Sequence, residues 1–239
     1  MSDRGAILLG PQLAEGIETL ENSESHRHWI PEEDCPFVGC YRRFTIEGFA
    51  SVWGLGAYNI PPTASARIQL GYFGRLVRSI KYQNPLRDRE DARIAVTSAQ
   101  LSRFVDNMVQ GHFNGLALTP ANRDSSRSIL PYIASVLIKV GLADRILDVH
   151  RNANTPVMKS IKDTDRSSLF LKRQAALAGK YEIPRVPVSR AKERFLVLDD
   201  VLDTGATMSA MGAAILVKHP NAELHGVALT YLRDPRIHT

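Results

Sequence analysis

Thirteen residues, Phe195-Leu-Val-Leu-Asp-Asp-Val-Leu-Asp-Thr-Gly-Ala-Thr207, constrain the fold more than any other part of this chain. The unbroken apolar run Phe195 to Leu198 suits a strand covered on both faces. Two carboxylates, Asp199 and Asp200, stand at its end, and Asp203 to Thr207 then turn into a helix predicted from Met208 to Val217. In an open α/β sheet, ligands bind beyond the carboxyl ends of the strands, which is where these charges fall. Backbone N–H groups in such a turn, together with a helix N-terminus, form a nest for a phosphate. Thr204 and Thr207 add hydroxyl donors, and Gly205 lets the backbone approach closely. Carboxylates repel a phosphate, so the natural partners of Asp199 and Asp200 are ribose hydroxyls or the water shell of Mg²⁺. A capped surface turn would account for neither the apolar run nor the Asp-Asp pair.

The rest of the chain alternates strands and helices. Tyr41 to Trp53 carries β-branched and aromatic residues interrupted by Glu47-Gly48, which suits a hairpin. A helix follows from Tyr72, with Leu76, Val77 and Ile80 on one face. A second helix is expected to start near Ser98 as its N-cap and to bury Leu101, Phe104, Val105 and Met108. Gly115 to Leu118 reads as a buried strand that stops at Thr119-Pro120, and Ile129 to Val140 as a helix ended by Gly141. A short strand at 146–149, a polar and basic segment from Arg151 to Leu169, a helix from Phe170 to Ala178 and a last strand from Glu223 to Leu232 complete the pattern. Such alternation predicts an α/β fold with a mostly parallel central sheet flanked by helices. Pro61-Pro62 marks the expected boundary between an N-terminal accessory segment, residues 1–60, and the main domain, residues 61–239.

Composition excludes several classes. A chain of 239 residues, 44% hydrophobic, can bury a full core without disulfide staples, and its two cysteines argue against a secreted disulfide scaffold. No apolar run approaches the roughly 18 residues of a membrane span, and the N-terminus does not resemble a signal peptide. A cytoplasmic protein that makes no use of a membrane is expected. The net charge of +5 fits an anionic ligand or nucleic acid, and equally a basic surface that aids solubility. Gly54-Leu-Gly56 lacks the third glycine of a dinucleotide fingerprint, and no P-loop sequence is present.

The segment Leu196 to Thr207 resembles the 5-phosphoribosyl-1-pyrophosphate (PRPP) motif of type I phosphoribosyltransferases. The resemblance implies that fold, with a small N-terminal hood. It further implies that Asp199 and Asp200 hold the ribose hydroxyls and Mg²⁺, through water or directly, while Asp203, Thr204, Gly205, Ala206 and Thr207 wrap the 5-phosphate. The Asp-Thr-Gly version resembles the 6-oxopurine enzymes, in which this position, Asp203 here, acts as a general base; PRPP synthetases carry the same version. Three further segments resemble the ComF-like branch of the fold. Tyr72 to Tyr82 is similar to its tyrosine-glycine helix and contributes Lys81. Thr119, Pro120 and Ala121 stand where a pyrophosphate loop follows its strand, with Arg123 nearby. Arg151 to Arg166 resembles the flexible catalytic loop, with Arg151 and Lys159 as cations for the pyrophosphate. The chain departs from that branch at Arg123-Asp-Ser-Ser-Arg-Ser128, where an Arg-Gly-Phe-Asn-Gln run is usual, and in lacking a four-cysteine zinc module.

His26, His28, Cys35 and Cys40 would supply a tetrahedral Zn²⁺ ligand set, a remnant of such a module; the competing reading is surface histidines and buried free thiols. The activity implied is transfer of the phosphoribosyl group from Mg²⁺·PRPP to a nitrogenous base or amine, with release of pyrophosphate. The alternative is a non-catalytic module that senses PRPP or a nucleotide in a nucleic-acid-associated system such as competence, with nucleic acid or a protein as partner. The residues leave the oligomeric state open; the resemblance offers a homodimer, since such enzymes are often dimers.

Overall fold

The computed structural model describes residues 41–60, 69–70, 72–82, 88–120, 128–152, 155–156, 158–184 and 188–232. Its centre is a six-stranded sheet in the order β1 (Arg42–Phe44), β2 (Ser51–Gly54), β10 (Glu223–Tyr231), β9 (Arg194–Leu202), β5 (Gly115–Leu118) and β6 (Ile146–Leu147). All neighbours pair in parallel except β1, which runs antiparallel to β2 at one edge. Short antiparallel ribbons join β3 (Asn59–Ile60) to β4 (Gln69–Leu70), and β7 (His150–Arg151) to β8 (Tyr181–Glu182).

Alternation along the central strands explains why both faces must be covered. Leu196 and Leu198 of β9 and Val227 and Leu229 of β10 face one way, into a core with Phe73, Leu76 and Ile80 of α1 (Tyr72–Tyr82). Leu101 of α2 (Asp88–Phe104) and Ile133 of α3 (Leu130–Lys139) complete that layer. Phe195 and Val197 face the other way, against Leu177 of α4 (Arg166–Leu177) and Met208, Met211 and Ile215 of α5 (Ala206–Lys218). Burying a Leu or Phe side chain stabilises by roughly 1.5–3 kcal/mol. Phe195 to Leu198 are all at most 1% exposed, so β9 is the fixed reference for everything attached to its end.

Several boundaries differ from the sequence pattern for identifiable reasons. The hairpin expected at 41–53 forms, and its second strand pairs with β10, which puts β1 and β2 in the same sheet as β9. Helix α2 begins at Asp88, not Ser98. The Ser98 hydroxyl donates to the Ile94 carbonyl at 2.7 Å, and that of Ser102 to the Ser98 carbonyl at 2.9 Å, so both are absorbed within the helix instead of capping it. Buried Thr97, Ser98 and Gln100 broke the apolar period that would have revealed the first turns. After Phe104 the helix widens over Val105–Val109, where the Gln110 N–H donates to the Val105 carbonyl at 2.9 Å. Helix α4 starts at Arg166 because Asp165 caps it, its carboxylate accepting the Ser168 N–H at 2.6 Å. No helix among the described residues is long and apolar enough to cross a membrane.

Candidate functional site at the carboxyl ends of β5 and β9

Chain order reverses between β5 and β9: from β5 the chain moves outward to β6, then returns to the other side of β5 as β9 and continues to β10. This is a topological switch point, and the crevice beyond the strand ends there is the place where such sheets bind ligands. Strand β5 pairs with β9 only as far as Leu118 opposite Leu198. Strand β10 pairs with β9 up to Tyr231 opposite Leu202. Residues 199–202 therefore extend past the end of β5, held on one side only.

Thr119 closes the gap. Its N–H donates to the Leu198 carbonyl and its hydroxyl donates to Asp199 Oδ1, both at 2.9 Å. The Asp200 N–H donates to the same Oδ1 at 2.8 Å. Asp199 and Thr119 are both buried. Successive residues of a strand point to opposite sides, and Asp200 is half-exposed, its carbonyl accepting the Thr230 hydroxyl at 2.9 Å. One carboxylate is thus locked in place, and its neighbour lies on the opposite side of the strand.

The turn follows directly. Gly205 has φ +84° and ψ −3°, a left-handed conformation, and α5 starts at Ala206. The Ala206 N–H approaches the Thr204 hydroxyl at 3.4 Å, and the Ser209 N–H donates to the Gly205 carbonyl at 2.9 Å as the helix begins. Thr204 and Thr207 are half-buried beside the first turn of α5, whose N–H groups lack carbonyl partners within the helix.

Helix α4 is clasped to this turn. The Arg173 guanidinium donates to the Asp203 carboxylate and, at 3.5 Å, approaches the Ile161 carbonyl. Gln174 Nε2 donates to the Ser209 hydroxyl at 3.1 Å. Sequence reasoning missed Arg173 and Gln174, because a cation and an amide on an amphipathic helix carry no mark of their partner. Arg151 is half-buried, Nη2 donating to the Pro156 carbonyl at 3.0 Å. Burial pushes the Tyr181 phenol up; the Arg151 charge opposes that shift and the Asp199 charge adds to it. Arg151, Tyr181 and Asp199 thus share one electrostatic neighbourhood on the α4–α5 face.

Lys81 lies in the last turn of α1 and Lys159 in the single tight turn Met158–Ser160. Pro120 is half-buried beside Thr119, while Ala121 and Arg123, like His26, His28, Cys35 and Cys40, lie outside the described residues. Among the described residues, no three His, Cys, Asp or Glu side chains converge on a point that could hold a metal. Mg²⁺ retains several waters and takes one or two carboxylates together with phosphate oxygens. A buried Asp199 committed to two donors beside a half-exposed Asp200 fits that donor set, with ligand oxygens supplying the remainder.

The base of α4 carries a pH dependence. Lys172 Nζ at 2.5 Å, the Asp165 N–H and the Ser168 hydroxyl hold Asp163 well below the usual carboxylate range. At the opposite end of the sheet, the His225 contact lowers Glu223, and burial lowers His225 itself. Each group takes up its proton more readily unfolded than folded, so stability falls as pH falls. The loss is expected to begin below about 6.5 with His225 and to steepen below about 4 with the carboxylates. Thermal unfolding from pH 8 to pH 3 checks this, and Asp163→Asn is expected to flatten only the lower step.

No protein-family model matches the sequence, and no curated protein matches it. Solved structures similar in backbone include an adenine phosphoribosyltransferase, 12% identical over 72% of this chain and 84% of that one, with a TM-score of 0.37. The adenine phosphoribosyltransferase of Saccharomyces cerevisiae, crystallised with an imino-altritol bisphosphate and adenine, is 12% identical over 72% and 82%, with a TM-score of 0.35. A hypoxanthine phosphoribosyltransferase from Staphylococcus aureus is 17% identical over 61% and 66%, with a TM-score of 0.35. Similarity at this level assigns no residue of this chain a role.

Proposed function

We propose that the chain binds Mg²⁺·PRPP beyond the ends of β5 and β9 and transfers its phosphoribosyl group to a nitrogenous acceptor, releasing pyrophosphate. The observation that carries this reading is the conjunction at one switch point of an Asp199-Asp200 pair and a left-handed Gly205 turn opening α5. The turn offers N–H and hydroxyl donors to a 5-phosphate, and the pair offers acceptors to the ribose diol. Asp199, fixed by Thr119, and Asp200 orient the sugar so that C1 presents to the acceptor the face opposite its bond to the leaving pyrophosphate oxygen. Cations over the leaving pyrophosphate stabilise the charge that develops there; Arg151 and Lys159 are assigned that role, and Thr119, Pro120, Ala121 and Lys81 are assigned to PRPP binding with them. Mg²⁺, when bound, supplies further charge neutralisation on the pyrophosphate oxygens. Asp203 belongs to the phosphate turn, where Arg173 engages one of its two carboxylate oxygens.

Calorimetric titration with PRPP and MgCl₂ tests the binding half of the reading, and pyrophosphate release with a panel of purines, pyrimidines and ammonia tests turnover. Absence of PRPP binding sinks the assignment. Tight binding with silence across the panel favours a second reading, a sensor of PRPP or a nucleotide. The engagement of Asp203 by Arg173 supports that alternative, because it occupies the residue that would otherwise handle a proton.

A further inference from the structure

The phosphate turn begins with a carboxylate, and a carboxylate is a poor neighbour for a phosphate dianion. Asp203 precedes the left-handed Gly205 by two residues, and its side chain is 33% exposed, on the rim of the turn. The cation it meets comes from another element. Arg173 projects from α4, thirty residues earlier, and its side chain is only 11% exposed. Arginine is rarely enclosed to this degree unless it is paired. Its Nη1 meets Asp203, its Nη2 reaches the Ile161 carbonyl only at 3.5 Å, and its Nε is buried without a hydrogen-bond partner. A guanidinium so enclosed and so sparsely bonded is held chiefly for its charge and for the one carboxylate in front of it.

Resting on the reading that this turn binds a ribose 5-phosphate group, we propose that Arg173 is a positioning residue that neutralises Asp203 and thereby makes the 203–207 turn receptive to a phosphate dianion. Two consequences separate this role from simple packing. The neighbouring tie, Gln174 to Ser209, is neutral and joins the same two helices, so its loss should not matter to an anion. The requirement for Arg173 should also vanish once Asp203 carries no charge, since what Arg173 then leaves behind is a neutral amide.

The test is calorimetric binding of ribose 5-phosphate and of PRPP with MgCl₂ by the full chain and its variants, with thermal unfolding as a companion. Two unit charges within one turn interact strongly enough, in partly screened surroundings, that Arg173→Gln is expected to weaken binding about 10- to 100-fold. Arg173→Lys, which keeps the charge, and Gln174→Ala, which removes the neutral tie, are expected to stay within about threefold of the unaltered chain. Asp203→Asn alone is expected to bind more tightly, because the Arg173 charge is released toward the ligand. The double variant Arg173→Gln/Asp203→Asn is expected to recover to within a few-fold. Arg173→Gln binding like the unaltered chain overturns the proposal, as does a double variant no better than Arg173→Gln. Should Arg173→Gln fail to fold, the double variant, which removes both charges together, decides alone: recovery supports the proposal and a tenfold or greater loss overturns it. Failure of the unaltered chain to bind either ligand is a separate result, overturning the ribose-phosphate reading itself.

Discussion

Asp200→Ala is expected to weaken PRPP binding by about 10- to 100-fold and to lower the unfolding temperature less than Asp199→Ala, which is expected to lose both binding and stability. The two adjacent carboxylates differ in what depends on them. Asp200 is half-exposed, its N–H bonded to Asp199 and its carbonyl accepting from Thr230, and both of these backbone bonds survive truncation of the side chain. A hydrogen bond to a charged group contributes roughly 1.5–3 kcal/mol, which converts to about 10- to 100-fold in affinity for the ribose diol. Asp199 is buried, and its Oδ1 accepts from both the Thr119 hydroxyl and the Asp200 N–H. Truncating it strands the buried Thr119 hydroxyl, at roughly 1–3 kcal/mol, and the part-buried Asp200 N–H at less, enough together to unseat Thr119 and the end of β5. Asp199→Asn separates the two roles. Its amide oxygen still accepts from both donors, so most of the stability should return without the affinity. Calorimetric titration and thermal unfolding of the three variants check this, and an Asp200→Ala chain that binds PRPP as tightly as the unaltered one removes Asp200 from the site.

Which parts of this arrangement the sequence could announce follows from how far apart the partners lie. Phe195 to Leu198 can be read as a doubly covered strand because four apolar residues in a row leave no solvent face, and the two cores on either side of β9 meet that demand. Gly205 can be read as a turn because few other residues accept φ +84°. The contacts that build the crevice are of another kind. Thr119 meets Asp199 across eighty residues, and Arg173 meets Asp203 across thirty. Nothing local distinguishes Arg173 from Lys172, which bonds instead to Asp163 on the exposed side of the same helix. The placement of β2 beside β10 was equally hidden: Ser51 finds His225 at 2.8 Å across 174 residues, and a hairpin's own sequence does not say which strand it will join. The early start of α2 was masked by burial of Thr97, Ser98 and Gln100, polar side chains on the face that periodicity expects to be apolar.

These long-range contacts have a common effect. Thr119 and Arg173 come from two different segments, the end of β5 and helix α4, and each bonds to a carboxylate of the 199–203 stretch. The crevice is therefore rigid on its strand side and clasped on its helix side, so a ligand entering it meets donors and acceptors already placed. Preorganisation of this kind lowers the ordering cost of binding. It also makes the turn intolerant of a change in its own backbone.

Gly205→Val is accordingly expected to remove phosphate binding and to destabilise the chain by about 3–4 kcal/mol, combining backbone strain with a steric clash. A β-branched residue in the left-handed region is a genuine outlier. A Cβ at position 205 would also lie 2.8 Å from Ile46 Cδ1, and Ile46 is itself buried. If the residue relaxes out of the left-handed region, the N–H groups that open α5 turn away from the crevice, and the anion site is lost with the strain relieved. If it does not relax, the strain is carried in the folded state and appears as a lower unfolding temperature. Gly205→Ala divides the two contributions. It keeps the φ penalty in a milder form, and its clash involves only the far end of the Ile46 side chain. Ile46→Val deletes that Cδ1 and costs about 1 kcal/mol in the unaltered chain, so in the Gly205→Ala background it is expected to cost less or to stabilise. Unfolding free energies of the four chains in this cycle measure the coupling. Strict additivity would place the whole cost of Gly205→Ala in the backbone, and full affinity in Gly205→Val would show that the turn does not depend on its left-handed glycine to hold a phosphate.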